Sequence, residues 1–230
     1  MFFFNPTYLM YMIPAFILMA LTSWYVKAAY EKWSRVPAQS RLTGAQAAQR
    51  LISAGGMYGV QVQGVAGNLT DHYDPRNKTL FLSAGVANAA SVASVAIAAH
   101  ELGHAMQDAE DYFPLRFRSA LVPVVNIGSN LGWILIMIGL FIRWTDLAWL
   151  GVMVFAGGAV FALATLPVEF NASARAKQLL VQTGIIQTDD ERRGVNAVLN
   201  AAALTYVAGL VTAILQLLYY VTLVGGRRRS

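Results

Sequence analysis

The chain has 230 residues, 57% of them hydrophobic and 13% charged, with a formal net charge of +5 and no cysteine. Soluble domains are about a quarter charged, so this composition excludes an ordinary soluble globule and points to bilayer segments beside a modest extramembrane domain. Disulfides and thiolate metal sites are excluded too, and the basic excess sits beside apolar runs, where anionic lipid rather than nucleic acid is the partner.

The first predicted element is a transmembrane anchor, residues 1–26, whose apolar stretch Phe2 to Val26 exceeds the roughly 20 residues needed to cross about 30 Å of hydrocarbon. It lacks a basic n-region and a small-residue cleavage site, and Lys27, Lys32 and Arg35 follow it, the pattern of a retained anchor. Residues 27–120 are expected to form a small extramembrane α+β domain. Within it, Thr43 and Gln46 of "TGAQAAQRLISAGG" have capping-box spacing for a short amphipathic helix, which Gly55 and Gly56 close. Val60 and Val62 alternate with Gln61 and Gln63, the period of a half-buried strand. After the turn-rich "DHYDPRNK" comes "TLFLS", a second strand, and the two are expected to pair as a hairpin. From about Val86 to Asp108 a helix of Ala, Ser and Val is predicted, suited by its small side chains to close packing in a protein interior rather than to lipid.

That helix ends in "AAHELGHAM". His100 and His104 lie one turn apart, so both imidazoles share a face on which they can converge on one ion, with Glu101 beside them to act on a water. The bland alternative is a satisfied pair of core histidines. Against it, two of the chain's three histidines fall in the motif, and an apolar helix is a costly place for two imidazoles and a carboxylate without a partner. Catalytic zinc takes three protein ligands and keeps one open position. A third histidine in the H-x-x-G-x-x-H pattern is absent: Gln107 stands three residues after His104 and Glu110 six after, so a carboxylate must serve. Asp108 and Glu110 are near in sequence, but a ligand from a second helix encloses an ion better.

Residues 121–166 are expected to form a membrane hairpin of two spans, Leu121 to Ile142 and Asp146 to Leu166, joined only by "RWTD". Two crossings return the chain to the side it left, which brings residues 167–203 to the face carrying residues 27–120. There Glu169 lies in "LPVEFNASARAKQLL", read as a helix with Pro167 in its first turn, running to about Val181 and stopped by Gly184. Glu169 is the favoured third ligand; the alternative is a carboxylate complementing a helix N-terminus. A fourth span, residues 204–224, and a basic tail, residues 225–230, complete the chain. The shared face carries 13 of the 17 Lys and Arg residues, which argues for a cytoplasmic site by the positive-inside rule, while Arg227, Arg228 and Arg229 in the tail dissent. A second donor for the tetrahedral oxygen of peptide hydrolysis is sought in His72, with a turn residue bonding its own loop as the alternative, and in Tyr206, with an interfacial aromatic as the alternative.

The stretches "DHYDPRNKTLFLS", "AAHELGHAMQ", "LPVEFNASARA" and "ALTYVA", together with the anchor, resemble the bacterial YugP-like family of membrane zinc metallopeptidases over nearly the whole chain. The plan is also similar to that of HtpX-type gluzincins, which place a membrane hairpin between H-E-x-x-H and the glutamate ligand. The resemblance implies a mainly α integral membrane protein of about four spans with a zincin-like α+β domain in the bacterial plasma membrane, Zn2+ on His100, His104 and Glu169, and Glu101 as general base. Gluzincins often carry Asp four residues after the glutamate; Ser173 stands here, so Asn171 or Ser173 is expected to orient the first imidazole instead. Polypeptides that are unfolded or membrane-associated are the expected substrates, one strand edge aligning them. Two rival readings are a site-2-type intramembrane protease, disfavoured because the spans hold no internal Asp, and a membrane scaffold with a structural metal.

Overall fold

A computed structural model describes residues 5–226, which form seven helices and one three-stranded sheet. The expected start of the first span at Phe2 and the Arg227–Arg229 cluster lie outside the described residues. Helix α1 covers Pro6–Ser34, α2 Gly44–Ala54, α3 Ala84–Ala87, α4 Val92–Ala109, α5 Phe113–Phe141, α6 Thr145–Gln182 and α7 Asp189–Gly226. Strands β1, β2 and β3 are Gln61–Val65, His72–Asp74 and Thr79–Ser83.

Four of these helices, α1, α5, α6 and α7, are long and apolar enough to cross a membrane. Both α6 and α7 have 38 residues, about 57 Å at 1.5 Å per residue, nearly twice the thickness of the hydrocarbon core. The surplus is a correction to the expected helix start at Pro167. Pro167 lies inside α6, so the third apolar stretch and the segment bearing Glu169 are one helix. A proline inside a helix removes one backbone bond and crowds the carbonyl four residues back, but the residues on either side still favour helix. The fourth apolar stretch likewise continues a helix that begins at Asp189. Thr188 Oγ1 accepts from the Glu191 amide while Glu191 Oε2 accepts from the Thr188 amide, a reciprocal cap spelled "TDDE" in the sequence.

The chain divides into two compact units. The first comprises the described part of Met1–Ser23, Arg116–Leu166, and the described part of Thr205–Ser230. Its core gathers Ile136, Leu140, Ala148, Val152, Tyr219 and Tyr220. Glycines let α5 and α6 approach until backbones touch: a Cβ on Gly132 would lie 2.8 Å from the Phe155 amide nitrogen, and one on Gly151 2.6 Å from that of Ile136.

The second unit comprises Trp24–Leu115 and Pro167–Leu204. Thr43 and Gln46 form the expected capping box on α2, and Gly184, at φ 65°, closes α6. Leu51, Leu80, Leu102, Leu180 and Leu199 are buried in one core. At about 1.5–3 kcal/mol each, such side chains outweigh exposed ion pairs, worth about 1 kcal/mol or less. The sheet has the order β1-β3-β2. β1 pairs with β3 in parallel, and the hairpin is made by β2 and β3, antiparallel, with His72 opposite Phe81. This corrects the expected pairing of the two predicted strands as a hairpin: the turn residues close the chain from "HYD" into "TLFLS", where Asp74 accepts from the Arg76 amide and from Asn77 Nδ2, both at 2.9 Å. The Ala/Ser/Val segment also starts later than expected. A separate short helix, α3, precedes Ser91, whose Oγ caps α4 by accepting from the Ser94 amide. From Val92 to Ala99 every α4 residue except Ile97 is buried, which accounts for the run of small residues.

Candidate metal centre

The site forms where α4 crosses the Pro167–Gln182 part of α6. Gly103 makes the crossing: a Cβ there would lie 2.5 Å from the Ala172 carbonyl oxygen, so only a residue without one lets the backbones come this close. On either side of this contact, each helix presents a pair of side chains four residues apart, His100 and His104 from α4, Glu169 and Ser173 from α6.

His100 Nε2 lies 3.2 Å and His104 Nε2 3.5 Å from Glu169 Oε2, with the two rings nearly perpendicular at 84°. One ligand atom from each residue falls within a 4.8 Å group, the described metal-capable cluster. Ligands about 2.0–2.1 Å from a tetrahedral zinc are about 3.3–3.4 Å apart, so the two imidazole-to-carboxylate separations match the edge of such a site. Glu169 is only 2% exposed, and a carboxylate so buried requires a positive partner. Burial of the His104 ring opposes its protonation, but the bond to Glu169 and the charges of Glu101 and Glu169 outweigh it and raise its pKa. The donor set therefore attracts positive charge, and it consists of the nitrogen and oxygen ligands that suit a zinc ion.

Glu101 stands beside this cluster, half-buried, and makes no hydrogen bond among the described residues. Burial, opposed by the two histidines and reinforced by the carboxylates of Glu169 and Asp71, raises its pKa. It is thus a carboxylate kept off structural duty and biased toward taking a proton.

Each imidazole is held from behind. Ser173 Oγ lies 3.1 Å from His100 Nδ1, and Gln107 Oε1 3.0 Å from His104 Nδ1. Asn171, the other expected orienting residue, meets Gln107 and Arg175 instead. The two nearby carboxylates weighed as alternative ligands are engaged elsewhere: Asp108 accepts from the Tyr73 hydroxyl at 2.9 Å, and Glu110 pairs with Arg175 at 2.7 Å. His72 is on β2, its ring stacked on Phe81 and its Nδ1 2.8 Å from the Thr70 carbonyl, so its contacts are those of its own hairpin. Tyr206 lies on α7 in the other unit, half-buried.

Several supporting residues escape a motif search. Gly103 and Gln107 lie within or just past the H-E-x-x-H pattern, where the pattern itself leaves them free. Asp71 accepts from the Ser83 amide and hydroxyl and so fixes the start of β2 near Glu101. Gln107 is fully buried, and a buried amide must find partners, but nothing in the linear sequence marks it as buried.

The family model described as "Putative neutral zinc metallopeptidase" matches residues 8–225. The "Putative membrane protease YugP" of Bacillus subtilis (strain 168) is 44% identical over 196 residues, which cover 85% of this chain and 87% of that protein. No solved structure gives a significant match. Because the match takes in the four long helices and the His100–His104–Glu169 cluster together, the chain belongs to this zinc metallopeptidase family.

Proposed function

We propose that the protein is a membrane-embedded zinc metalloendopeptidase of gluzincin type that hydrolyses unfolded or membrane-associated polypeptides. The observation that carries this reading is the convergence of two imidazoles and one buried carboxylate, next to a second carboxylate with no structural bond. His100, His104 and Glu169 hold the ion. When bound, zinc supplies a Lewis acid that activates water and polarises the scissile carbonyl. Glu101, which stands beside the ligands with no hydrogen bond among the described residues, would take a proton from the attacking water and pass it to the departing amine.

Substrate alignment is assigned to β2. Among the described residues β3 is its one strand partner, which makes β2 an edge strand of the sheet, and the Tyr73–Asp108 bond ties it to α4. An extended peptide adding to that edge by backbone hydrogen bonds fits a preference for unfolded chains. His72 is the proposed donor to the tetrahedral oxygen, a contribution worth about 3 kcal/mol when such a donor is removed. The basic residues of the extramembrane face support a cytoplasmic site, and the name of the relative, a membrane protease, supports a membrane location.

The decisive experiment measures zinc content and casein digestion side by side. Wild type is expected to hold one zinc per chain and to cleave; Glu101→Gln to hold zinc without cleaving; Glu169→Ala to lose zinc. Turnover retained by Glu101→Gln removes that residue from its role, and full zinc in Glu169→Ala removes the glutamate from the ligand set.

A further inference from the structure

Gln107 is fully buried between His104 and α6, and no step of the hydrolysis uses it. The donors around it determine which way its amide faces. Arg175 can only donate: its Nε donates to Asn171 Oδ1 at 2.7 Å, while Nη1 and Nη2 grip the two Glu110 oxygens, each at 2.7 Å. That first bond commits the Asn171 oxygen to the side facing Arg175. The same Oδ1 accepts from Gln107 Nε2 at 3.0 Å, and the Val168 carbonyl accepts the other amide hydrogen at 2.8 Å. With both hydrogens engaged, Oε1 is the Gln107 atom that meets His104 Nδ1 at 3.0 Å. A carbonyl oxygen cannot donate, so Nδ1 carries the hydrogen, which leaves Nε2, the nitrogen that faces Glu169, as the atom available to an ion.

We propose that Gln107 is a positioning residue for the metal site: it holds His104 in the Nδ1–H form with Nε2 free for the ion, and two acceptors, the Val168 carbonyl and the Asn171 oxygen that Arg175 commits, together impose the direction of that amide. The proposal rests on the zinc reading above and deepens it. His100 has no equivalent device, because Ser173 Oγ at its Nδ1 is a hydroxyl that can donate or accept and so permits either tautomer. The two imidazoles are therefore held by unlike means. One is fixed by a directed chain ending at an exposed Arg175–Glu110 pair, the other by a single adaptable hydroxyl.

The test uses the full-length protein in detergent, reading zinc affinity by competition with a chromophoric chelator and the His104 Nδ1–H signal in protein labelled with 15N-histidine. Gln107→Leu is expected to weaken zinc binding by about ten- to a hundredfold and to expose the Nδ1–H to rapid exchange with water. Asn171→Asp presents only acceptors to Gln107 and Arg175, so the amide keeps its direction; affinity is expected within about threefold of wild type, against a loss of about tenfold in Asn171→Leu. A residue that merely ties α4 to α6 would not discriminate between those two variants. Equal losses in Asn171→Asp and Asn171→Leu overturn the proposal, as does a Gln107→Leu protein with wild-type affinity and a protected Nδ1–H. Should Gln107→Leu fail to fold, the Asn171 pair decides. A wild type that binds no zinc yet protects the His104 Nδ1–H overturns the zinc reading while supporting the clamp.

Discussion

Gly103→Ala is the most informative single substitution outside the ligands, because it adds one methyl group where α4 and α6 touch. Its Cβ would sit 2.5 Å from the Ala172 carbonyl oxygen and 3.0 Å from the Ala172 Cα and carbonyl carbon, all backbone atoms that cannot swing aside. Ordinary contact begins near 3.4 Å, so the helices must separate by about 0.9 Å (3.4 − 2.5). Glu169 rides on one helix and the histidines on the other, so separations now 3.2 and 3.5 Å open toward about 4.1 and 4.4 Å. Metal–ligand distances tolerate about 0.2 Å, well under that displacement. Zinc affinity is expected to fall by at least the ten- to hundredfold seen when the support of a ligand is disturbed. The fold should survive: overpacking costs about 1–3 kcal/mol, part of which Ala recovers through a helix propensity about 1 kcal/mol better than Gly. Chelator competition on wild type and variant, with thermal melting of both, checks this. A folded Gly103→Ala protein whose zinc affinity stays within twofold of wild type would refute the idea that helix spacing at this crossing sets the ligand geometry.

Other substitutions probe the surroundings. Ser173→Ala removes the one side-chain bond at His100 Nδ1 and is expected to weaken zinc by about tenfold, with recovery in Ser173→Asp, both read by the same competition. Tyr73→Phe deprives Asp108 of its hydroxyl donor at a cost of about 1 kcal/mol, lowering the melting temperature; if β2 aligns substrate, KM for extended peptides rises while kcat holds. The bond from Arg175, ahead of a small opposing effect of burial, lowers the Glu110 pKa below its ordinary 4.5, so its stabilisation is present above that value and is lost as the pH falls through the lower folded value. Because Glu110 is exposed, water screens the pair to under about 1 kcal/mol. Glu110→Gln should therefore lower stability slightly at neutral pH and shrink the difference between melts at neutral and strongly acidic pH; an unchanged acid-side difference would show that the pair contributes nothing.

The apolar stretches were legible because bilayer thickness imposes a length that composition alone reveals, and the helices that contain them are the four fit to cross a membrane. The α2 cap was legible for a similar reason, since Thr43 and Gln46 act on each other across three residues without help from the fold. What failed depends on distant partners. β2 is three residues long, too short to display a period, so local pattern favours a hairpin of "VQVQ" and "TLFLS" where the fold pairs "HYD" with "TLFLS". Pro167 carries equal local logic at a helix start or inside a helix, and only the rest of α6 distinguishes them. At the site, the spacing of His100 and His104 follows from helical geometry, and Glu169 could be singled out by charge and topology. Of the orienting contacts, Ser173 was marked by its place four residues after the glutamate, but Gln107 was not: it meets Val168 and Asn171 across a helix crossing that a linear motif does not encode.

Pro167 also has a mechanical meaning. Without an amide hydrogen it leaves the Leu163 carbonyl unbonded within the helix, so α6 bends most easily there. Glu169 lies two residues beyond this fulcrum, about 3 Å along the axis, whereas Gln182 lies fifteen residues beyond, about 22 Å along it. That arm is packed along its length, with Ala176, Leu179 and Leu180 buried in the same core as Leu102 of α4. The acid therefore stands on a stretch of α6 stiffened by its own packing, just past the one turn that lacks a backbone bond.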